Sequence, residues 1–200
     1  GDMKGGIACF MSALSRIDVD SLNYSIGFLI TADEEGPSKD GTVKVVEELL
    51  QRDEKIDFCL IGEPSTLETV GDNIRIGRRG SINIELEVLG KQGHAAYPAR
   101  VDNPIHKVVP FLDKLLKEVW DEGNEHFPPT SLQLTNITAG VGAHNVTPNN
   151  LYLKFNLRFS TQISGEAIQE KVENFLKSEG IKHKVSFDIN AEPFYSEPKL

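Results

Sequence analysis

The chain has 200 residues, of which 39% are hydrophobic and 26% charged, as in an ordinary globular protein with a packed core. Its formal net charge of -9 repels a phosphate backbone and argues against a nucleic-acid partner. No apolar run reaches the ~20 residues of a membrane helix, and the first residues lack the pattern of a signal peptide. We therefore expect no membrane partner.

The cysteines Cys9 and Cys59 both occur in apolar stretches of the sequence. A reduced cysteine in such surroundings packs as a small hydrophobe. We expect neither a disulfide nor a nucleophile at these positions, and a reducing compartment fits this expectation.

The first part of the chain has the pattern of an α/β protein. Apolar residues at helical spacing predict helices from Lys4 to Leu14 and from Thr42 to Arg52. Continuous apolar runs predict buried strands from Tyr24 to Ala32 and from Asp57 to Gly62. The alternation of helix and strand indicates a parallel sheet.

A different pattern begins near Gly77, where Ser81 to Leu89 alternates strictly between apolar and polar side chains and predicts a strand with one wet face. A helix from Asn103 to Trp120 follows, with Asp102 as its expected N-cap. Its expected apolar stripe consists of Ile105, Val108, Val109, Leu112, Leu115, Leu116 and Val119. The next predicted strand runs from Ser131 to Thr138.

The remaining predicted elements are a strand from Leu151 to Phe159, a helix from Gly165 to Ser178 and a strand near Val185 to Ile189. The resulting β-α-β-β-α-β order is the ferredoxin-like arrangement. We expect residues 1–75 to form part of one domain, residues 76–190 to form an inserted α+β domain, and residues 191–200 to return toward the first domain.

Acidic residues follow both predicted buried strands. Glu34 and Glu35 are adjacent at the end of one strand, and Glu63 ends the next. Because the carboxyl ends of parallel strands share one edge of a sheet, these carboxylates should lie close together. Like charges at close range repel unless a cation or a proton lies between them. A metal site and a solvated acidic turn both fit the pattern.

The residues around these carboxylates resemble the metal-binding motifs of zinc amidohydrolases and exopeptidases of the aminoacylase and carboxypeptidase superfamily. The motifs are Asp2-Met3-Lys4-Gly5, Asp33-Glu34-Glu35-Gly36 and Gly62-Glu63-Pro64-Ser65. Further segments look like the succinyl-diaminopimelate desuccinylase family, among them Gly77-Arg78-Arg79-Gly80-Ser81, Gly93-His94-Ala95-Ala96-Tyr97-Pro98 and Phe155-Asn156-Leu157-Arg158.

The resemblance implies a partial parallel-sheet catalytic domain with an inserted ferredoxin-like dimerisation, or lid, domain. It implies two zinc ions, one of them replaceable by cobalt, with Asp2 bridging both ions, Glu35 binding one and Glu63 the other. Glu34 is then the general base. In the family, a histidine upstream of the residue matching Asp2 and another far downstream complete the zinc shells, and this sequence contains neither segment.

The resemblance also assigns roles in the second part of the chain. His94 matches a histidine that reaches across a dimer interface and donates a hydrogen bond to the substrate carbonyl oxygen. Tyr97 and Asn145 match positions near bound substrate, and Arg78 has the geometry to pair with a substrate carboxylate. As an isolated residue His94 would fit a surface or turn position better than a catalytic one, and its motif reverses that reading. The other three also fit as turn residues or a surface charge.

The implied function is hydrolysis of N-succinyl-LL-2,6-diaminopimelate to succinate and LL-2,6-diaminopimelate in lysine biosynthesis, by a cytoplasmic homodimer joined through the lid domain. A related enzyme such as an acetylornithine deacetylase or a dipeptidase would keep the metal motifs and change the substrate-facing residues. A non-catalytic dimerisation fragment is a third reading of the 200 residues as they stand.

Overall fold

The structure is a computed structural model that describes residues 3–32, 36 and 39–197. The chain divides into two compact units, Gly1–Ile74 and Arg75–Leu200. Among the described residues, no helix is both long and apolar enough to cross a bilayer.

The first unit contains two helices, α1 (Lys4–Leu14) and α2 (Thr42–Gln51), and a single 3-10 turn at Val19–Ser21 among its described residues. Both helix predictions are confirmed, although α2 ends one residue earlier than predicted. The strands predicted at 24–32 and 57–62 are absent, since none of their described residues belongs to a helix or a strand. Those two strand predictions are therefore wrong for the part of the chain that is described.

The apolar side chains of these two segments are largely exposed to solvent. The exposed fraction is 51% for Phe28, 70% for Ile30 and 72% for Leu60. A strand that is apolar on both faces requires hydrogen-bonded neighbours and covering layers on both sides, and the described residues of this unit provide no such strand ladder. Cys9 and Cys59 are free, as expected, but both are exposed, so their predicted packing as core hydrophobes is wrong.

Helix α1 nevertheless lies directly on both segments. A Cβ atom added to Gly6 would be 2.6 Å from the Gly62 carbonyl oxygen, and one added to Gly62 would be 2.8 Å from the Phe10 ring. The rings of Phe10 and Phe28 make an edge-to-face contact, with centroids 6.4 Å apart. Two glycines thus allow the helix and the 57–62 segment to approach closely.

The second unit has two further helices and eight strands among its described residues, and a 3-10 turn at Pro98–Arg100. In chain order the elements are β1 (Gly77–Arg78), β2 (Gly80–Leu89), β3 (Gly93–His94), α3 (Pro104–Lys117), β4 (Ser131–Ala139), β5 (Val146–Thr147), β6 (Asn150–Phe159), α4 (Gly165–Ser178), β7 (His183–Ala191) and β8 (Phe194–Tyr195).

Four of these strands form an antiparallel sheet in the order β4-β6-β2-β7. Taken along the chain, the main elements run β2-α3-β4-β6-α4-β7, which is the predicted β-α-β-β-α-β order. Two small antiparallel pairs, β1 with β8 and β3 with β5, complete the unit. The mixed helix-and-sheet class and the ferredoxin-like arrangement are thereby confirmed.

The core lies between one face of this sheet and the two helices. Alternate residues of β2 are 0–2% exposed, and alternate residues of β6 and the inner face of α4 are equally buried. Each such side chain contributes roughly 1.5–3 kcal/mol relative to an exposed position. The buried set consists of Ile82, Ile84, Leu86, Val88, Leu151, Leu153, Phe155, Leu157, Phe159, Ile168, Val172 and Leu176.

Helix α3 begins one residue later than predicted, with Asn103 and not Asp102 as its N-cap. The Asn103 side chain accepts a hydrogen bond from the Ile105 N–H at 3.0 Å. The Asp102 carboxylate is instead bonded to Lys107 Nζ at 2.6 Å, and the Asp102 backbone pairs with that of Lys91. These contacts hold Asp102 outside the helix.

The apolar stripe of α3 divides into an inner and an outer face. Val108 and Leu115 are buried, together with Phe111, which the predicted stripe omits. Val109 and Leu116 are 57% and 59% exposed. The helix also ends at Lys117, three residues before its predicted end, so the predicted single stripe overstates what one helix buries against the sheet.

Candidate functional site

The predicted metal ligands fall mostly outside the described residues. Asp2, Glu34 and Glu35 lie in the undescribed positions, and Glu63 is exposed just after the 57–62 segment. The carboxylate of Glu63 is a suitable zinc ligand, but a single carboxylate does not complete the coordination shell of a zinc ion. Within the described ranges, no three His, Cys, Asp or Glu side chains come together as a metal site. The zinc ligands therefore stay a prediction.

Three predicted site residues of the second unit do come together, in what we call the loop cluster: His94, Tyr97 and Asn145. Strand β3 pairs with β5, which sets His94 opposite Val146. The Ala95 N–H donates to the Asn145 carbonyl oxygen at 2.9 Å, so Asn145 is joined to the His94 turn through the backbone. A backbone hydrogen bond thus joins two loops whose residues are 50 positions apart in sequence.

A tight turn connects His94 to Tyr97. The Tyr97 N–H donates to the His94 carbonyl oxygen at 2.9 Å, and the two rings are tilted against each other with centroids 5.7 Å apart. The Arg100 guanidinium lies over the Tyr97 ring, 5.4 Å from its centroid. All three members of the loop cluster are exposed, so their side chains are accessible to a ligand or a partner.

An open groove lies beside the loop cluster, and its lining includes His106 and His144. Both histidines are exposed. Arg78 lies on β1, opposite Phe194 of β8. Among the described residues, no hydrogen bond joins Arg78 to the loop cluster, so the structure does not link all of the predicted substrate-facing residues.

Thr147 is a member of the local network that sequence reasoning missed. Its hydroxyl accepts from the Gly93 N–H and donates to the Gly93 carbonyl oxygen, both at 3.1 Å. A Cβ atom added to Gly93 would lie 2.4 Å from Val101 Cγ1, so a side chain there would require Val101 to move. Gly93 and Thr147 are 54 positions apart, so no local spacing signal could have found this contact.

The resolved pKa shifts of the second unit belong to its scaffold. A hydrogen bond from Lys184 lowers the pKa of Glu87 on the polar face of the sheet, and the same contact raises the pKa of Lys184. Burial raises the pKa of Asp121, but hydrogen bonds, first those from Thr130, outweigh this effect and lower it. These carboxylates support the loops and the sheet and are not members of the loop cluster.

The sequence is similar to curated proteins named succinyl-diaminopimelate desuccinylase. It is 51% identical over 195 residues to the protein from Methylococcus capsulatus and 49% identical to that from Alkalilimnicola ehrlichii. Each alignment covers 96% of this chain and 52% of the relative. The chain thus spans about half the length of the curated relatives it matches.

Solved structures resemble the fold at much lower identity. An M20 family metallo-carboxypeptidase from Sulfolobus solfataricus aligns with a TM-score of 0.51 at 12% identity, covering 60% of this chain and 45% of that structure. A tripeptidase from Staphylococcus aureus aligns with a TM-score of 0.50 at 17% identity, covering 62% of this chain and 33% of that one. These likenesses concern the fold alone.

The family model for the peptidase dimerisation domain of the M20 group matches residues 76–184. This match covers more than half of the chain and includes strands β2, β4 and β6, helices α3 and α4 and the loop cluster. The chain therefore belongs to the M20 peptidase dimerisation domain family.

Proposed function

We propose that this chain is part of a two-zinc amidohydrolase that cleaves N-succinyl-LL-2,6-diaminopimelate to succinate and LL-2,6-diaminopimelate, in the cytoplasm, as a step of lysine biosynthesis. The observation that carries the proposal is the identity of about half of all residues to relatives of that name over 96% of the chain. Residues 1–75 are then catalytic, residues 76–190 form the lid and residues 191–200 lead back to the catalytic domain.

Asp2, Glu35 and Glu63 would hold the metal ions, Asp2 as the bridge, because carboxylate oxygens are ligands that zinc accepts. A bound metal pair supplies an activated water and a polarised amide carbonyl. Glu34 would act as the general base, taking up a proton on its carboxylate and delivering it to the leaving nitrogen. In this proposal the four carboxylates have separate roles as bridge, base and terminal ligands.

His94 would stabilise the negative charge that develops on the carbonyl oxygen, by donating a hydrogen bond into the active site of a partner subunit. Its exposure on the loop cluster supports a role toward another molecule. Tyr97 and Asn145 would contact the same substrate, and the Arg78 guanidinium would pair with a substrate carboxylate in bidentate fashion.

The partner in this proposal is a second copy of the chain, bound through the lid domain. The outer face of α3 and its C-terminal continuation expose Val109, Leu116 and Val119, each at 57–65%. Strand β4 is an edge of the sheet and exposes Ile137 at 59%. Exposed apolar residues and an open strand edge are each features that a protein interface commonly covers.

The first experiment substitutes the acidic residues in the full-length protein that carries this sequence. We expect Glu34→Gln to keep both metals and lose most turnover of succinyl-diaminopimelate, whereas Glu35→Gln and Glu63→Gln also lose metal in elemental analysis. Near-normal turnover by Glu34→Gln would show that the base is elsewhere. If the parent protein hydrolyses acetylornithine faster than succinyl-diaminopimelate, the protein belongs with the related deacylases in its substrate preference.

A second experiment tests whether His94 acts across the interface. Mixing His94→Ala with Glu34→Gln subunits creates heterodimers in which one site has both groups intact, so about a quarter of the parent activity should return after statistical exchange. Absence of recovery after verified subunit exchange would contradict the action of His94 in the partner's site.

A third experiment addresses the 200 residues by themselves. We expect them to show no turnover and to bind zinc weakly, because carboxylates without the remaining ligands leave the metal shell incomplete. Zinc titration by calorimetry, with Glu63→Gln as the matched control, measures this directly. Appreciable turnover would contradict the expectation, and tight binding that survives Glu63→Gln would show that the metal lies elsewhere.

A further inference from the structure

Strand β3 and strand β5 are only two residues long, and a side chain strengthens their pairing. Gly93 is opposite Thr147 in the register, and both the N–H and the carbonyl oxygen of Gly93 are bonded to the Thr147 hydroxyl at 3.1 Å. An isolated pair of short strands is only marginally stable in water. The Thr147 hydroxyl therefore fixes the residue directly before His94 at both of its backbone groups.

The ring of His94 is held by the backbone of its own turn. The Ala96 N–H donates to His94 Nδ1 at 3.1 Å. A backbone N–H can only donate, so Nδ1 must accept and cannot carry a proton. In the neutral ring the proton is then on Nε2. Among the described residues, Nε2 has no hydrogen-bond partner, so the donor is left available.

The surroundings of the turn limit its movement. The Tyr97 ring flanks His94, and Val101 Cγ1 occupies the space beside Gly93 where a side chain would begin. The Ala95 N–H is also bonded to the Asn145 carbonyl oxygen. The turn therefore has anchors on both sides of His94.

We infer that the loop presents His94 as a preset hydrogen-bond donor with its proton on Nε2, and that Thr147 is the positioning residue that holds this arrangement. The inference rests on the proposed function for the use of the donor, but its geometry concerns this chain alone. Thr147 acts through His94 and has no direct role toward the substrate.

The geometry is tested by long-range proton–nitrogen NMR correlation of the histidine rings in the 200-residue chain, in alkaline buffer where an ordinary imidazole is neutral. His94→Gln identifies the His94 signals by their loss. Nε2 is recognised by its strong correlations with both ring carbon protons. We expect Nε2 to have the nitrogen chemical shift of a protonated ring nitrogen and Nδ1 to have that of an unprotonated one. A proton on Nδ1, or a mixture of the two tautomers, would overturn the inference.

Thr147→Val and Thr147→Ser form a matched pair for the positioning role. Valine keeps the β-branched shape without the hydroxyl, and serine keeps the hydroxyl without the methyl group. We expect a mixed tautomer signal for His94 in Thr147→Val and the parent signal in Thr147→Ser, at similar melting temperatures. A parent-like His94 signal in Thr147→Val would show that Thr147 does not position the ring.

Turnover in the full-length protein separates this inference from the proposed function. The side-chain amide of glutamine places an N–H near the position of Nε2, whereas that of asparagine places it near Nδ1. We therefore expect His94→Gln to turn over substrate faster than His94→Asn. The kcat of His94→Asn should fall by about 10²–10³ relative to the parent. Thr147→Val should lower kcat by roughly tenfold or more with little change in KM, and Thr147→Ser should restore it. If both His94 variants have the same, near-parent kcat and the expected tautomer is observed, the catalytic role of His94 is refuted. The inferred geometry of the loop is then still supported.

Discussion

Asp121 organises the segment between α3 and β4 through a single carboxylate. Its Oδ1 accepts from the Gly123 N–H at 2.8 Å and the Thr130 N–H at 3.1 Å, and its Oδ2 accepts from the Thr130 hydroxyl. The Thr130 hydroxyl oxygen in turn accepts from the N–H of Ser160, which is fully buried. One carboxylate thus satisfies three donors of this segment, and these donors favour its ionised form.

We expect this carboxylate to give the second unit a stability that depends on pH. Its pKa in the folded chain lies below the ordinary 3.8, so its contribution is present above that value and disappears as the pH falls through the lower folded-state pKa. Asp121→Asn should lower the free energy of unfolding at neutral pH by about 1–3 kcal/mol, because it weakens charge-assisted hydrogen bonds.

Urea unfolding of both proteins between neutral and acidic pH measures this effect. The difference between the parent and Asp121→Asn should shrink on acidification below the ordinary pKa of 3.8. The neighbouring Glu122 is exposed, so Glu122→Gln serves as the matched charge control and should leave the pH profile unchanged. A difference between Asp121→Asn and the parent that is constant with pH would refute the role of ionisation.

At the scale of elements, α3 is the clearest case of one helix with two apolar surfaces. Its inner face reaches the sheet through Val108, Phe111 and Leu115, each no more than 1% exposed. Its outer face carries Val109 and Leu116, which are more than half exposed. The inner residues stabilise the fold, and we assign the outer ones to the proposed dimer interface.

The adjacent pair Leu115 and Leu116 separates these two roles. Leu115→Ala should lower the free energy of unfolding by about 2–5 kcal/mol, since it removes a fully buried side chain. Leu116→Ala should leave the stability of the dilute, monomeric chain within about 0.5 kcal/mol of the parent, because its side chain is on the surface.

Sedimentation equilibrium then reports on association. We expect the parent chain to dimerise and Leu116→Ala to shift the monomer–dimer equilibrium toward the monomer, with Lys117→Ala as an exposed polar control that shifts it less. Equal dissociation constants for Leu116→Ala and the parent would exclude this face from the interface.

On the scale of the whole molecule, the two units differ in how they bury apolar surface. The second unit has a continuous core on one face of a four-stranded sheet, with β2 flanked by strands on both sides. In the first unit, helices α1 and α2 contain no buried residue, and the described residues form no strand. Local stability follows buried apolar contacts and backbone hydrogen bonds, so the units should not be equally stable.

Amide hydrogen exchange should therefore divide the chain in two. Amides of β2 and β6 should exchange slowly, close to the rate set by global unfolding, whereas amides at 24–32 and 57–62 should exchange within the earliest time points. Amides of α1 provide an internal control, because they are hydrogen-bonded within the helix but lack a buried face. Slow exchange across 24–32 would show that the predicted strand is formed after all.

The sequence by itself determined the main elements of the second unit. The strict alternation in Ser81 to Leu89 fixes which face of β2 is apolar, and all four apolar side chains of that face are buried. The boundaries of α4 agree residue for residue with its predicted range, which its Ser164 N-cap helps to define. These signals are local, since each depends on side-chain period or capping within a few residues.

Only the tertiary structure decided three other features. The apolar runs at 24–32 and 57–62 are not strands in the described chain, because a strand depends on hydrogen bonds to neighbours that its own sequence cannot specify. Which half of the α3 stripe is buried depends on the sheet beneath it. The bond between Thr147 and Gly93 joins residues 54 positions apart. The sequence identified His94 as a candidate donor, and chain folding determined which of its nitrogens is presented.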